Sequence, residues 1–157
     1  MATTILETLQ QQLIADAGRA TLSHGVLVLT LNPAELLPTV GKLRDGFGFD
    51  LFLDVTAVDW LGKTPRFEVV HHFYSTVHKV RVRLKTRVPE ADPSVDSLVP
   101  LYGSAAFMER ESHDMYGIRF RGNADLRPIL LYEGFVGHPL RKDYPKQHEQ
   151  PLVPYRT

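Results

Sequence analysis

The sequence predicts an α+β fold: a small mixed domain with a three-stranded antiparallel meander and helices, followed by a long extended C-terminal arm. Three observations predict it. Between Leu51 and Val88, three strand-like runs are separated by short turn-forming stretches. Segments near residues 4–14 and 104–116 carry apolar residues at helical spacing. Beyond Gly122, glycines and prolines recur too often for any long regular element. With 157 residues and 43% hydrophobic residues, the chain suits one domain with a real core. The expected division is a core over residues 1–122 and a docking arm over residues 123–157.

Thr4 and Glu7 have capping-box spacing, and Ile5, Leu6, Leu9, Leu13 and Ile14 repeat on one helical face, with Gly18 as the stop. Gly25–Leu31 reads as a short buried strand. Asn32-Pro33 opens a turn or helix. Pro38 is expected to break a continuous helix, which leaves a short helix near Thr39–Asp45. The meander follows as Leu51–Trp60, Arg66–Tyr74 and Lys79–Val88, with a tight turn at Ser75–His78. The third strand alternates: Lys79, Arg81, Arg83, Lys85 and Arg87 on one face, and Val80, Val82, Leu84 and Val88 on the other. Pro93–Gly103 is expected to form a short helix and turn, and Ser104–Tyr116 a longer helix. Fully stretched, the arm could reach roughly 100 Å at ~3.3 Å per residue. A segment so poor in local structure stays ordered only against a surface.

Composition narrows the function. Formal net charge is zero, which argues against bulk attraction to nucleic acid or anionic lipid. The chain has no cysteine, so disulfides and thiolate-held zinc or iron–sulfur sites are excluded. No apolar run approaches bilayer length, and the N-terminus has no secretory pattern, so a cytoplasmic protein is expected. No dinucleotide fingerprint or phosphate loop is present.

The densest cluster of charge, glycine and proline is Phe107–Pro145. Helical spacing groups Phe107, Met108, Glu111 and Met115, so Glu111 is expected to be partly buried and paired with Arg127 or Arg141. Arg110 and Asp114 have the spacing of an ion pair, and Glu109 reads as a solvated position. Glu109 and His113 share a face, but a metal site would need a third ligand that the sequence does not fix. His71 and His72 must point to opposite faces of a strand and read as structural. His138 is expected to bond backbone, and Trp60 reads as a core or hairpin residue. The basic strand face Lys79–Arg87 raises a rival reading, a stand-alone RNA-binding module. It lacks interleaved aromatics for base stacking, so a solvated face or an acidic partner fits better.

Three motifs together resemble one family. They are Glu109-Arg110-Glu111, Asp114-Met115-Tyr116-Gly117-Ile118, and Gly137-His138-Pro139-Leu140-Arg141-Lys142-Asp143-Tyr144-Pro145. With Asp54–Trp60 and the order of elements, they are similar to the 30 kDa subunit of respiratory complex I, the C-type subunit of bacterial NADH-quinone oxidoreductase. The chain departs from the family pattern at His113, at Asn123-Ala124 after Gly122, and at Pro128. The resemblance implies a subunit with no catalytic, cofactor-binding or metal-ligating residue of its own. FMN, iron–sulfur clusters and quinone would belong to other subunits. It implies docking through the motif residues and Arg127 onto the larger 49 kDa-type (D-type) subunit and its peripheral-arm neighbours. The place would be the quinone-reducing module, on the cytoplasmic side of the bacterial inner membrane. The resemblance leaves open an alternative, the equivalent subunit of a related membrane-bound hydrogenase or of a ferredoxin- or F420H2-driven quinone reductase.

Overall fold

The structure is a computed structural model and describes residues 2–13, 19–147 and 150. The helix stop at Gly18, Ile14 and the tail prolines Pro151 and Pro154 lie outside the described residues. Helix α1 spans Ala2–Leu13 and buries Leu6 and Leu9, as the helical spacing predicts. Strands β1 (Ala20–Ser23) and β2 (Val26–Leu31) form a hairpin, of which the sequence pattern marks only the second strand.

A short 3-10 turn over Pro33–Glu35 leads into helix α2, Leu36–Phe47. The Asn32 amide donates to the Glu35 carboxylate at 2.7 Å, closing the turn. Pro38 does not break this helix. It is the third residue, and the first-turn amides have no intrahelical acceptor, so a missing N–H costs nothing there.

The meander is present as β3 (Leu51–Asp59), β4 (Phe67–Ser75) and β5 (Val80–Val88), paired antiparallel in sequence order. It is the larger part of a five-stranded sheet of order β1-β2-β5-β4-β3, in which β2 joins β5 in parallel. Strand β5, with its alternating charge, is therefore the central strand. Registered neighbours fix the faces. Leu29, Leu84, His71 and Val55 lie side by side on the inner face, against which α1, α2 and α3 pack. Val28, Arg83, His72 and Asp54 lie on the outer one.

Residues 93–103 correct the expected helix. Ser94–Asp96 forms strand β6, parallel to β7 (Arg119–Arg121), and only a tight turn closes at Leu98–Tyr102. Three residues cannot signal a strand alone; the partner lies 25 residues downstream, beyond helix α3 (Ala105–Tyr116). Helix α3 packs on β3, and Ser112 Oγ donates to the Val55 carbonyl of that edge strand at 2.8 Å.

His71 is fully buried beside Phe52, and neither ring nitrogen has a partner among the described residues. Burial, with a smaller contribution from His72, lowers its pKa to about 3. The unfolded chain binds this proton near pH 6.5 and the folded chain does not. Stability must therefore fall as pH drops from 6.5 toward 3. His71→Phe should flatten that slope, read as melting temperature against pH. An unchanged slope would assign the acid sensitivity elsewhere.

Candidate functional site

The side chains of the Phe107–Pro145 cluster become intelligible from the end of α3. An α-helix leaves its last four carbonyls without intrahelical donors. In α3 these belong to His113, Asp114, Met115 and Tyr116. The Gly117 amide takes the first at 2.8 Å. The other three are taken by the arm. His138 Nδ1 meets the Asp114 carbonyl at 2.9 Å, the Leu140 amide donates to Met115 at 3.1 Å, and Arg141 Nε donates to Tyr116 at 2.6 Å. The segment His138–Arg141 is thus a C-cap supplied from outside the helix, and the Arg141 guanidinium also suits the negative end of the helix dipole.

The same helix grips the arm's backbone from its flank. One oxygen of Asp114 accepts the amides of Ile129, Leu130 and Leu131 at 2.8, 2.9 and 3.3 Å. Burial works to raise its pKa, but the three donors together outweigh that and leave it lowered. Arg110 donates to the carbonyls of Arg127 and Pro128, both at 2.8 Å. Arg110 and Asp114 therefore do not pair with each other as spacing suggests. Each serves main-chain groups of the arm instead.

Glu109 and Glu111 exchange their expected roles. Glu111 is exposed and has no ion pair among the described residues, whereas Glu109 has 0% exposure. The Glu109 carboxylate accepts from Leu98 N at 2.7 Å, Ser97 Oγ at 2.8 Å and Asn123 Nδ2 at 2.9 Å. Burial raises its pKa against these donors. Helical spacing identified a half-apolar side, but Glu109 points to the opposite side, where the segments that follow β6 and β7 meet it. Arg127 pairs with Asp125 at 2.8 Å, and Arg141 turns to the helix end, so neither reaches Glu111. Asn123, one of the departures from the family pattern, supplies a donor to the buried carboxylate. Glu109 and His113 do not converge; His113 Nδ1 faces the Ile118 carbonyl at 2.8 Å and must carry its proton there.

Arg66 closes the site from the sheet side. It is 3% exposed and donates to Asp59 and to Asp143 through two hydrogen bonds each, of 2.8 and 2.9 Å. Glu90 adds a third carboxylate at 2.6 Å. The Lys142 amide donates to Asp59 at 2.8 Å. The guanidinium lowers the pKa of both Asp59 and Asp143 and has its own raised, mainly by Asp59. Arg66 and Arg141 both lie over the Phe67 ring. Nothing in the sequence marks Arg66, which only follows a turn proline.

Two glycines permit this close fit. Gly117 has φ 74°, and a Cβ there would collide with the Arg141 and His138 side chains. Gly137 has φ 93°, and a Cβ would come within 2.9 Å of the Tyr144 ring. Tyr144 stacks on Phe135, and Gln150 bonds Val136 and the Tyr144 hydroxyl, so the arm has a knot of its own. Pro139 is half-buried, and Lys142 and Pro145 are exposed. Residues 123–147 contain no helix or strand, yet the first part of the arm folds back on its own core.

These contacts rank the substitutions. Arg66→Leu strands a buried Asp59 and should cost about 3 kcal/mol in chemical denaturation. Glu109→Ala, which orphans the Leu98 amide, should cost about 2 kcal/mol, while Glu111→Ala should change stability by less than about 0.5 kcal/mol. Asp143→Asn should leave the melting temperature nearly unchanged and speed tryptic cleavage after Arg141 and Lys142. Equal cleavage rates would show that the Arg66–Asp143 pair does not hold the arm.

Known proteins share this architecture and much of its sequence. Residues 29–150 match the family described as "Respiratory-chain NADH dehydrogenase, 30 Kd subunit". The C-type subunit of NADH-quinone oxidoreductase from Citrifermentans bemidjiense is 46% identical over 124 residues, covering 79% of this chain and 77% of that one. The subunit of the same name from Herpetosiphon aurantiacus is 42% identical over 147 residues, covering 91% and 86%. A solved trypsin-resistant fragment (1–134) of Nqo5 superposes with a TM-score of 0.68 at 28% identity, covering 80% of this chain and all of the fragment. The membrane-bound sulfane sulfur reductase, an archaeal respiratory membrane complex, shares the fold at a TM-score of 0.68 and 22% identity, covering 82% of this chain and 75% of that one. The matched span takes in helix α2, the three-stranded meander, helix α3 and the arm segment that caps it, and on this ground the chain belongs to the respiratory-chain NADH dehydrogenase 30 kDa subunit family.

Proposed function

We propose that this chain is a docking and assembly subunit of the quinone-reducing module of a proton-translocating NADH-quinone oxidoreductase, without redox chemistry of its own. The observation that carries this reading is the use made of the arm's polar groups. Several of its amides and carbonyls, with Arg141 and Asp143, are spent on α3, Asp59 and Arg66, while several of its large apolar side chains face outward. Leu130, Val136 and Leu140 are 61%, 74% and 52% exposed, and Phe107 of α3 is similarly bare. A rigidly held segment with exposed apolar side chains suits burial against another protein. The family-motif residues Gly117, Gly137, Pro139, Arg141 and Asp143 shape that segment; they are not chemical groups of a reaction.

The partner proposed is the larger 49 kDa-type subunit, with the other peripheral-arm subunits beyond it. FMN, iron–sulfur clusters and quinone are assigned to those subunits, in keeping with a chain that has no cysteine. No helix among the described residues is long and apolar enough to cross a membrane. We place the chain peripherally, on the cytoplasmic side of the bacterial inner membrane. NADH as donor rests on the relatives at 42–46% identity, since the archaeal complex is similar in fold alone.

Purification of the native chain from its membranes should recover a large iron–sulfur assembly containing one copy of it. Deleting residues 123–157 should leave the α/β core folded and abolish incorporation. Leu130→Asp with Leu140→Asp should keep the wild-type melting temperature and still be lost from the assembly. Normal incorporation of either variant would refute the docking role of the arm.

A further inference from the structure

The outer face of the five-stranded sheet carries a cationic surface that the arm does not use. No helix among the described residues covers it. Along the central strand β5 it presents Arg81, Arg83, Lys85 and Arg87, with His72 beside Arg83 on β4. Against these stand Glu68 and Asp54 on the neighbouring strands. Glu68 is shared by Lys85 at 3.0 Å and Arg87 at 3.4 Å. Arg81 and Arg83 have no ion-pair or hydrogen-bond partner among the described residues, and the Arg83 Nε is shielded from solvent as well as unpartnered. His72 has a lowered pKa, through burial first and then through Arg83, which reports the positive field at this spot. The floor between the cations is already dry: Val28 and Val70 are buried, and Leu51 and Val58 add exposed apolar area on β3. With a net charge of zero for the whole chain, this excess is a local feature and not a bulk one.

We propose that this face is a second docking surface, for an acidic segment of another protein subunit whose carboxylates pair with Arg81 and Arg83. Two residues apart on a strand, these side chains are anchored about 7 Å from each other. Carboxylates one helical turn apart, at i and i+4, lie about 6 Å apart along the axis and match that spacing. An acidic helix laid along β5 would supply bidentate partners to two guanidinium groups flanked by buried Val28 and Val70. Single-stranded RNA fits less well, because it needs exposed rings for stacking. On the central columns the rings are His72 beside Arg83 and Tyr74 beside Arg81, both only half-exposed, and Trp60 is already flanked by Lys63 and Arg87.

This inference rests on the chain being a subunit of a larger assembly, and it is tested in that assembly. A photo-crosslinking residue replacing Val26, the neighbour of Arg81 on this face, is expected to capture a peptide of another subunit with carboxylates at helical spacing. Arg81→Glu with Arg83→Glu is expected to lower incorporation about tenfold, since like charges then face each other. Arg81→Lys with Arg83→Lys should retain most of it. Reversing the captured carboxylates to arginine should restore the double-glutamate variant. Capture of RNA, capture of a peptide without acidic residues, or no capture would overturn the proposal. So would wild-type incorporation of the double-glutamate variant. If that variant enters the complex unchanged while Leu130→Asp with Leu140→Asp is excluded, this surface is refuted and the arm's role stands.

Discussion

A guanidinium with almost no access to water must be neutralised where it stands, and at Arg66 three carboxylates from three parts of the chain do so. Asp59 ends the first strand of the meander, Glu90 follows its last strand, and Asp143 comes from the arm. Asp59 is as buried as Arg66, so those two are bound to each other by the cost of leaving either charge alone. Asp143 is half exposed and contributes less energy, but it joins the arm to this buried pair. The rest of the site is arranged around this fixed point. Once Asp143 is on Arg66, the preceding residues meet the end of α3.

At that helix end the requirement is main-chain hydrogen bonding. Carbonyls at a helix C-terminus need donors, and an arm without helix or strand has amides and carbonyls that need partners too. Each defect satisfies the other. Asp114 and Arg110 extend the arrangement by offering a carboxylate to three amides and a guanidinium to two carbonyls. The consequence for function is one of exposure. Main-chain polar groups are consumed inside the chain, and Leu130, Val136 and Leu140 of the arm remain on its surface. In the proposed docking role, that surface is the part a neighbouring subunit would cover.

Departures from the family pattern fall where they can be absorbed. Asn123 donates to buried Glu109, Pro128 still offers its carbonyl to Arg110, and His113 bonds the Ile118 carbonyl at the turn after the helix. Pro128 contributes a backbone group and His113 a single hydrogen bond, so those side chains can vary while the path of the chain is kept; Asn123 contributes two, since its Oδ1 also accepts the Asp125 amide at 3.0 Å.

The meander, helices α1 and α3 and the alternation of β5 were legible in the sequence, because local periodicity of 2 or 3.6 residues is set by which face is buried. The family motifs were legible for the same reason that they are motifs: residues close in the chain act together. Other features depended on partners far away in sequence. Strand β6 exists through β7, and β2 finds its parallel place only beside β5. The burial of Glu109 in place of Glu111 follows from which side of α3 meets Ser97, Leu98 and Asn123, and a helical wheel contains no such information. Arg66 looked ordinary because its three carboxylates lie 7, 24 and 77 residues away. By itself the sequence determined the fold class, the lack of thiolate chemistry and the family. Only the tertiary structure decided which charges are buried and how the arm is held, because desolvation and long-range pairing arise when distant segments meet.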